Sequence, residues 1–277
     1  MAKIAMLGAG LIGAGMVEAM RRNGHEVAVW NRTASKAEAL VGRVGGRVAS
    51  SPADACVGAE RVHLVLADDV AVDAVVGALP ALDVPVVDHS TVSPAGTAAR
   101  AAALSARGIA FAHAPIFMSP AAAQAARGLM LLSAPEAVRA RVEPALATMT
   151  GEVWYVGERP DLAAAYKLFG NAMLLTIAGG LTDVFRMGKA LGIAPEDCFS
   201  VFQKFDPAVG IKIRGAKMAA GDFAPSFETE MARKDLRLML ASAAGLEVLP
   251  AVAAVLDRAI AEGHGKDDVG SIAASVR

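Results

Sequence analysis

The sequence predicts an α/β protein, with a doubly wound, mostly parallel sheet in its first half and an all-α domain after it. Three observations predict this. Short apolar runs alternate with Ala-rich stretches of helical periodicity as far as about Val156. The first of these runs leads straight into glycines spaced to turn a strand into a helix. Beyond Val156 strand-like runs cease and long apolar helical patterns take over.

In order, strands are expected at residues 4–7, 27–30, 62–66, 84–87, 109–112, 129–132 and 153–156. Helices are expected between several of them, at 13–22, 70–79 and 94–106. Residues 162–191 then read as one long helix, apolar nearly all round, with Gly179-Gly180 inside it and Gly192 as its stop. Shorter helices follow at 195–205, 227–244 and 251–262. The boundary falls at the turn marked by Gly157 and Pro160, giving residues 1–157 and 158–277 as the two domains. A helix apolar on all sides must be covered on all sides. A domain of this size covers it most simply with a second copy, so a homodimer or larger homo-oligomer is expected.

Composition narrows the function classes. Of 277 residues, 55% are hydrophobic and 20% charged, which excludes disorder. Lys plus Arg number 27 against 28 acids, so nothing marks a nucleic-acid binder or an anionic-membrane binder. Glycines and charges interrupt the apolar residues, and no uninterrupted run reaches the roughly 20 residues of a membrane span. Lys3 before an apolar run imitates a secretion signal, but the glycine spacing and Glu18, Arg21 and Arg22 argue for strand, turn and amphipathic helix. A cytoplasmic protein is expected. Cys56 and Cys198 are read as packing thiols, and the histidines (25, 63, 89, 113, 264) show no metal-ligand spacing, so no metal is expected.

Gly8-Ala9-Gly10-Leu11-Ile12-Gly13 carries the strongest local chemistry. Gly8 permits the tight turn, Gly10 lets a pyrophosphate reach the backbone, and Gly13 lets helix and strand pack closely. The helix-start amides of Leu11, Ile12 and Gly13 then face the phosphates. The second strand ends in Trp30-Asn31-Arg32-Thr33, where a site for NAD carries a carboxylate. Arg32 can pair with a 2′-phosphate while Asn31 and Thr33 hydrogen-bond it, so NADP is the expected cofactor.

Lys167 and Asn171, four residues apart in the long helix, share one face. A lysine amid Ala, Tyr, Leu and Phe is desolvated, which suits it to proton transfer near neutral pH. On the residues alone, a snorkelling lysine beside a helix-interior amide fits equally well.

These motifs, with Gly24-His25-Glu26-Val27, Asp88 to Pro94, Ala114-Pro115 and Lys234-Asp235-Leu236-Arg237-Leu238, run in an order that resembles the β-hydroxyacid dehydrogenases, relatives of the imine reductases. The resemblance covers nearly the whole chain. It implies a Rossmann domain followed by a helical domain that dimerises through its long helices. It implies that Lys167 exchanges the proton as hydride passes between NADPH and a small carbonyl substrate, with Asn171 orienting the substrate or holding the lysine. It also implies cofactor contacts at Leu66, Ala67 and Thr91, and a Lys234 that closes over the cofactor from the helical domain.

The chain departs from the family where substrate is held. Members acting on small hydroxy acids carry Ser-Gly-Gly after Ala-Pro-Val, and their amides cradle a carboxylate. Here Phe117, Met118 and Ser119 follow Ala114-Pro115-Ile116. Losing both glycines restricts an anion nest, and Phe117 and Met118 add apolar bulk. The leading expectation is reduction of an aldehyde acid. Imine or apolar-carbonyl reduction is the alternative, and a catalytically silent nucleotide-binding scaffold is the third.

Overall fold

The computed structural model describes residues 1–276. The chain divides into two compact units, Met1–Asn171 and Ala172 onward. The first holds a nine-stranded sheet. Its strands are β1 (Lys3–Leu7), β2 (Glu26–Trp30), β3 (Arg47–Val48), β4 (Arg61–Leu64), β5 (Val86–Asp88), β6 (Phe111–His113), β7 (Ile116–Phe117), β8 (Leu129–Ser133) and β9 (Glu152–Gly157). Its helices are α1 (Leu11–Arg22), α2 (Ala34–Val44), α3 (Pro52–Ala55), α4 (Asp69–Gly77), α5 (Pro94–Ala106), α6 (Pro120–Gln124), α7 (Glu136–Leu146) and the opening turns of α8 (Leu162–Ala190).

The strand order β3-β2-β1-β4-β5-β6 is parallel throughout and reverses direction of growth at β1 and β4, the crevice where doubly wound sheets bind ligands. The strands are apolar on successive residues because both faces are covered. Ile4 and Met6 pack with Met16, Val17 and Met20 on one face, whereas Ala5 and Leu7 pack with Val72, Val75 and Leu104 on the other.

Past β6 the sheet differs from the expected parallel pattern. β8 runs antiparallel to β6 and β7, then parallel to β9. The helix available for a return crossover, α6, has five residues and is too short to carry the chain back along the sheet. The two-residue strands β3 and β7 are too short for alternation to reveal them.

Gly8 shows how strictly the first turn is specified. Its φ is +123°, and a Cβ there would overlap the Val65 carbonyl oxygen. Its N–H meanwhile donates to Trp30 O at 2.8 Å, tying the turn to the end of β2. Gly8→Ala is expected to cost about 2 kcal/mol or more of stability, from backbone strain and overlap together, read as a lowered denaturation midpoint.

The compact units part at Asn171, later than the turn at Gly157 and Pro160, because the opening of α8 packs on the sheet. Ser133 Oγ donates to Pro160 O at 2.9 Å, Ala163 is buried, and Phe117 lies against Gly170. The second unit contains the rest of α8, then α9 (Pro195–Ser200), α10 (Ala208–Ala220), α11 (Thr229–Ser242) and α12 (Leu249–Ala259), without a strand among the described residues. Helix α9 is shorter than expected and passes into a 3-10 turn, and α12 gives way to a wide turn at Gly263, where φ is +97°. Leu236, Ala253 and Leu256 form the core here. Asp268 accepts hydrogen bonds from Ser226, Phe227, Gly270 and Arg214, and Asp183 from the amides of Glu247, Val248 and Leu249.

Helix α8 is the expected long helix, but within one chain it is largely uncovered: Phe169 is 67% and Leu175 73% exposed. By length and composition alone it could also cross a bilayer, although glycines and polar residues interrupt its apolar run as expected. An 18-residue window has a mean hydropathy of 1.4.

Candidate functional site

At the crevice, α1 begins at Gly10 with no side chain capping it, so its first-turn N–H groups are left for an anion. A Cβ on Gly10 would meet nothing within 4 Å, whereas one on Gly13 would overlap Gly8 O and touch Val65. Approach from outside is open and packing from inside is close, as the motif requires. A cavity of about 460 Å3 lies over this turn, lined by Gly10, Leu11, Ile12, Leu66 and Ala67 and, at the end of β2, by Asn31 to Thr33.

The groups at the end of β2 divide their work. Asn31 also braces the loop: its Oδ1 accepts from Ala9 N at 3.0 Å and one Nδ2 hydrogen goes to Thr33 O at 2.9 Å, clamping the glycine turn to the loop and leaving the second Nδ2 hydrogen to donate. Arg32 and Thr33 are exposed, and the Thr33 side chain makes no capping bond to α2. Lys36, one turn further on, lines the same cavity, and no carboxylate does. A dinucleotide with an additional phosphate fits this lining.

Thr91 is exposed at the C-terminal edge of the sheet. Its neighbour Ser90 accepts a hydrogen bond from Leu66 N at 2.9 Å, which fastens the Thr91 loop to the cavity wall. Ser93 caps α5, its Oγ accepting from Gly96 N.

Lys167 is buried, 8% exposed, and its Nζ sits 3.9 Å from the centroid of the Phe117 ring. Burial lowers its pKa from the usual lysine value, and no carboxylate among the described residues counters that shift. Asn171 follows one turn later, half-buried. Of Phe117, Met118 and Ser119, the residues expected to face substrate, Phe117 sets its ring against Lys167. Met118 packs on the sheet core and against Gly128, and Ser119 caps α6 by accepting from Ala122 N at 3.1 Å. Outside them, Trp154, Tyr166 and Phe169 form an exposed aromatic row.

Residues 3–157 match the family described as the NAD binding domain of 6-phosphogluconate dehydrogenase. The chain belongs to this family. Its amino-terminal part is a dinucleotide-binding domain, and the chain is an oxidoreductase of the 6-phosphogluconate dehydrogenase-like, β-hydroxyacid dehydrogenase group. It is 29% identical to an uncharacterized oxidoreductase, YfjR, of Bacillus subtilis (strain 168), over 87% of this chain and 86% of that one. It is 28% identical to 3-sulfolactaldehyde reductase of Escherichia coli (strain K12), over 100% of this chain and 96% of that one. Its fold matches a reductive aminase from Aspergillus terreus, solved with NADPH and ethyl levulinate, with a TM-score of 0.92 at 23% identity over 100% and 99% of the two chains.

Sheet register gathers further polar groups that sequence spacing hides. His63, Asp88, His89 and His113 are all buried beneath the site. His63 and His113 lie 25 and 24 residues from the Asp88-His89 pair, which hides them; register alone pairs Asp88 with His113 and sets His63 beside Val87. Burial pushes the Asp88 carboxyl up to about 6 and His113 down to about 3. They stand 3.7 Å apart, and Asp88 Oδ2 and both His113 nitrogens have no hydrogen-bond partner among the described residues. In the helical unit Lys234, on α11, pairs with Asp235 at 2.6 Å.

Proposed function

We propose that the chain is an NADPH-dependent reductase of a small carbonyl compound, with Lys167 as its general acid. The observation that carries this reading is a buried ammonium with no counter-ion, in the same compact unit as an uncapped, glycine-built helix start. Residues 1–157 hold nucleotide, and residues 158–277 supply the oligomer contacts and, through Lys167 and Asn171, the proton donor and a substrate contact. Gly8, Gly10 and Gly13, with the amides of Leu11 and Ile12, receive the pyrophosphate. Arg32 and Thr33, joined by Lys36, receive the 2′-phosphate, and Asn31 braces them. Leu66, Ala67 and Thr91 flank the nicotinamide end. When bound, the reduced nicotinamide supplies the hydride. Lys167 Nζ gives its proton to the carbonyl oxygen as that oxygen gains charge, and Asn171 orients the substrate. In the oxidative direction neutral Lys167 takes the proton back.

Reduction needs the ammonium form. The rate is therefore expected to fall as pH rises through the Lys167 pKa, at a pH below the ordinary lysine range because burial lowers it. A pH profile of kcat checks this.

Phe117 favours a second reading. Its ring occupies the Lys167 side of the site where the family's hydroxy-acid enzymes hold a carboxylate, which suits an imine or apolar carbonyl. Assays of NADPH oxidation with glyoxylate, succinic semialdehyde and cyclic imines separate the two. Semialdehyde turnover supports the first, turnover of imines alone supports the second, and no turnover leaves a nucleotide-binding scaffold.

The exposed apolar face of α8 is covered by a second copy and not by lipid, in a soluble cytoplasmic enzyme with neither membrane nor nucleic acid as partner. Light scattering is expected to give about twice the 28.3 kDa chain mass or a larger multiple, and Leu175→Glu to shift it toward one chain.

A further inference from the structure

Beneath the surface that carries Thr91 and Phe117, a file of side chains runs from β4 to the connection between β6 and β7. Arg61 Nε donates to His63 Nε2 at 3.0 Å. His63 Nδ1 lies 2.8 Å from His89 Nε2, with the ring planes 6° apart, and His89 Nδ1 lies 2.7 Å from the Ala114 carbonyl oxygen. Both rings are buried, and burial holds both neutral: His63 well below the usual histidine value, helped by His89 and Arg61, and His89 at about 4.

The two ends of the file dictate where its protons sit. A guanidinium only donates, so His63 Nε2 accepts and the His63 proton is on Nδ1, directed at His89 Nε2. A carbonyl only accepts, so the His89 proton is on Nδ1, directed at Ala114. The reverse assignment would set two N–H groups face to face at Arg61 and two lone pairs face to face at Ala114. Every bond thus points the same way, from a fixed charge to a backbone carbonyl, and each polarises the next.

The last bond falls where it matters for the site. Ala114 N donates to Asp88 O at 2.7 Å and fixes the peptide before Ala114, while the His89 bond fixes the peptide after it, which leads through Pro115 and Ile116 to Phe117. On its other flank His89 N donates to Leu64 O, and adjacent Ser90 holds Leu66. We propose that His89 is a positioning residue, anchored through His63 by Arg61, that holds the Ala114–Pro115 peptide and thereby the Phe117 ring against Lys167. This rests on the reductase reading only in taking Lys167 and Phe117 to face substrate.

Nuclear magnetic resonance of the full-length protein tests it without turnover. Long-range 15N correlations are expected to show His63 and His89 both protonated on Nδ1. The Lys167 ε-methylene protons are expected upfield, under the Phe117 ring current. In His89→Leu that shift is expected to be lost and kcat/KM to fall by up to about 100-fold, the scale of a small misplacement at a reacting centre. His89→Asn, whose amide can donate in place of Nδ1–H, is expected to restore both. An Nε2-protonated His63 or His89, or unmoved Lys167 signals in a folded His89→Leu, would overturn the proposal. If His89→Leu does not fold, the wild-type tautomers and the Lys167 signals of His89→Asn decide. A wild type that turns over no substrate would defeat the reductase reading, while these spectra would still decide this one.

Discussion

Lys167→Ala is expected to lower kcat for carbonyl reduction by about 10²–10⁴-fold, the usual worth of a positioned proton donor, while the Kd for NADPH stays within about twofold. The split follows from position. Lys167 lies on α8 against Phe117, whereas the glycine turn and the loop after β2 form the cofactor cavity. Folding stability is expected to hold or rise, because the variant removes a buried charge that has no carboxylate partner and is held only by a ring face. A loss of activity through misfolding would bring a lower melting temperature and weaker NADPH binding as well. Near-normal turnover would mean that Lys167 is a packing lysine with its head over an aromatic ring, the reading that the residues alone leave open.

Arg32→Ala is expected to weaken NADPH binding by about 10–100-fold, the equivalent of charge-assisted hydrogen bonds to one phosphate, and to leave NADH binding nearly unchanged. The basis is the lining of the cavity at the end of β2, where Arg32, Thr33 and Lys36 stand without an acid. Because Lys36 shares the phosphate, Arg32→Ala with Lys36→Ala is expected to remove most of the preference for NADPH. Calorimetric titration of both coenzymes measures the ratio directly. Equal losses for both would place the adenosine ribose elsewhere.

The parts of this molecule legible in the sequence are those whose cause is local. Gly8 to Gly13 announce their turn because backbone freedom and close packing demand glycine at set positions, and Pro94 and Ser93 mark the start of α5 because capping chemistry is read within four residues. The mixed β6-β8-β7 corner was not legible, since antiparallel return there depends on a helix too short to recognise. Asn31 was legible as part of the cofactor loop but not as its brace, because its partners Ala9 and Thr33 become visible only once β1 and β2 are paired. Met118 and Ser119 illustrate the same limit. Their local packing could not be read from their places beside Phe117, because successive residues leaving a strand point in different directions: Phe117 meets Lys167 while the Ser119 hydroxyl caps α6. The buried histidines were hidden for the strongest form of this reason: nothing but sheet register brings His63, His89 and Ala114 together.

A crystal structure of the chain with NADPH is the most direct measurement. Pyrophosphate is expected over the first-turn amides of α1, the 2′-phosphate on Arg32, and the nicotinamide beside Thr91 with its reactive face toward Lys167. A nicotinamide turned away from Lys167, or a nucleotide seated away from Gly8 to Gly13, would contradict it.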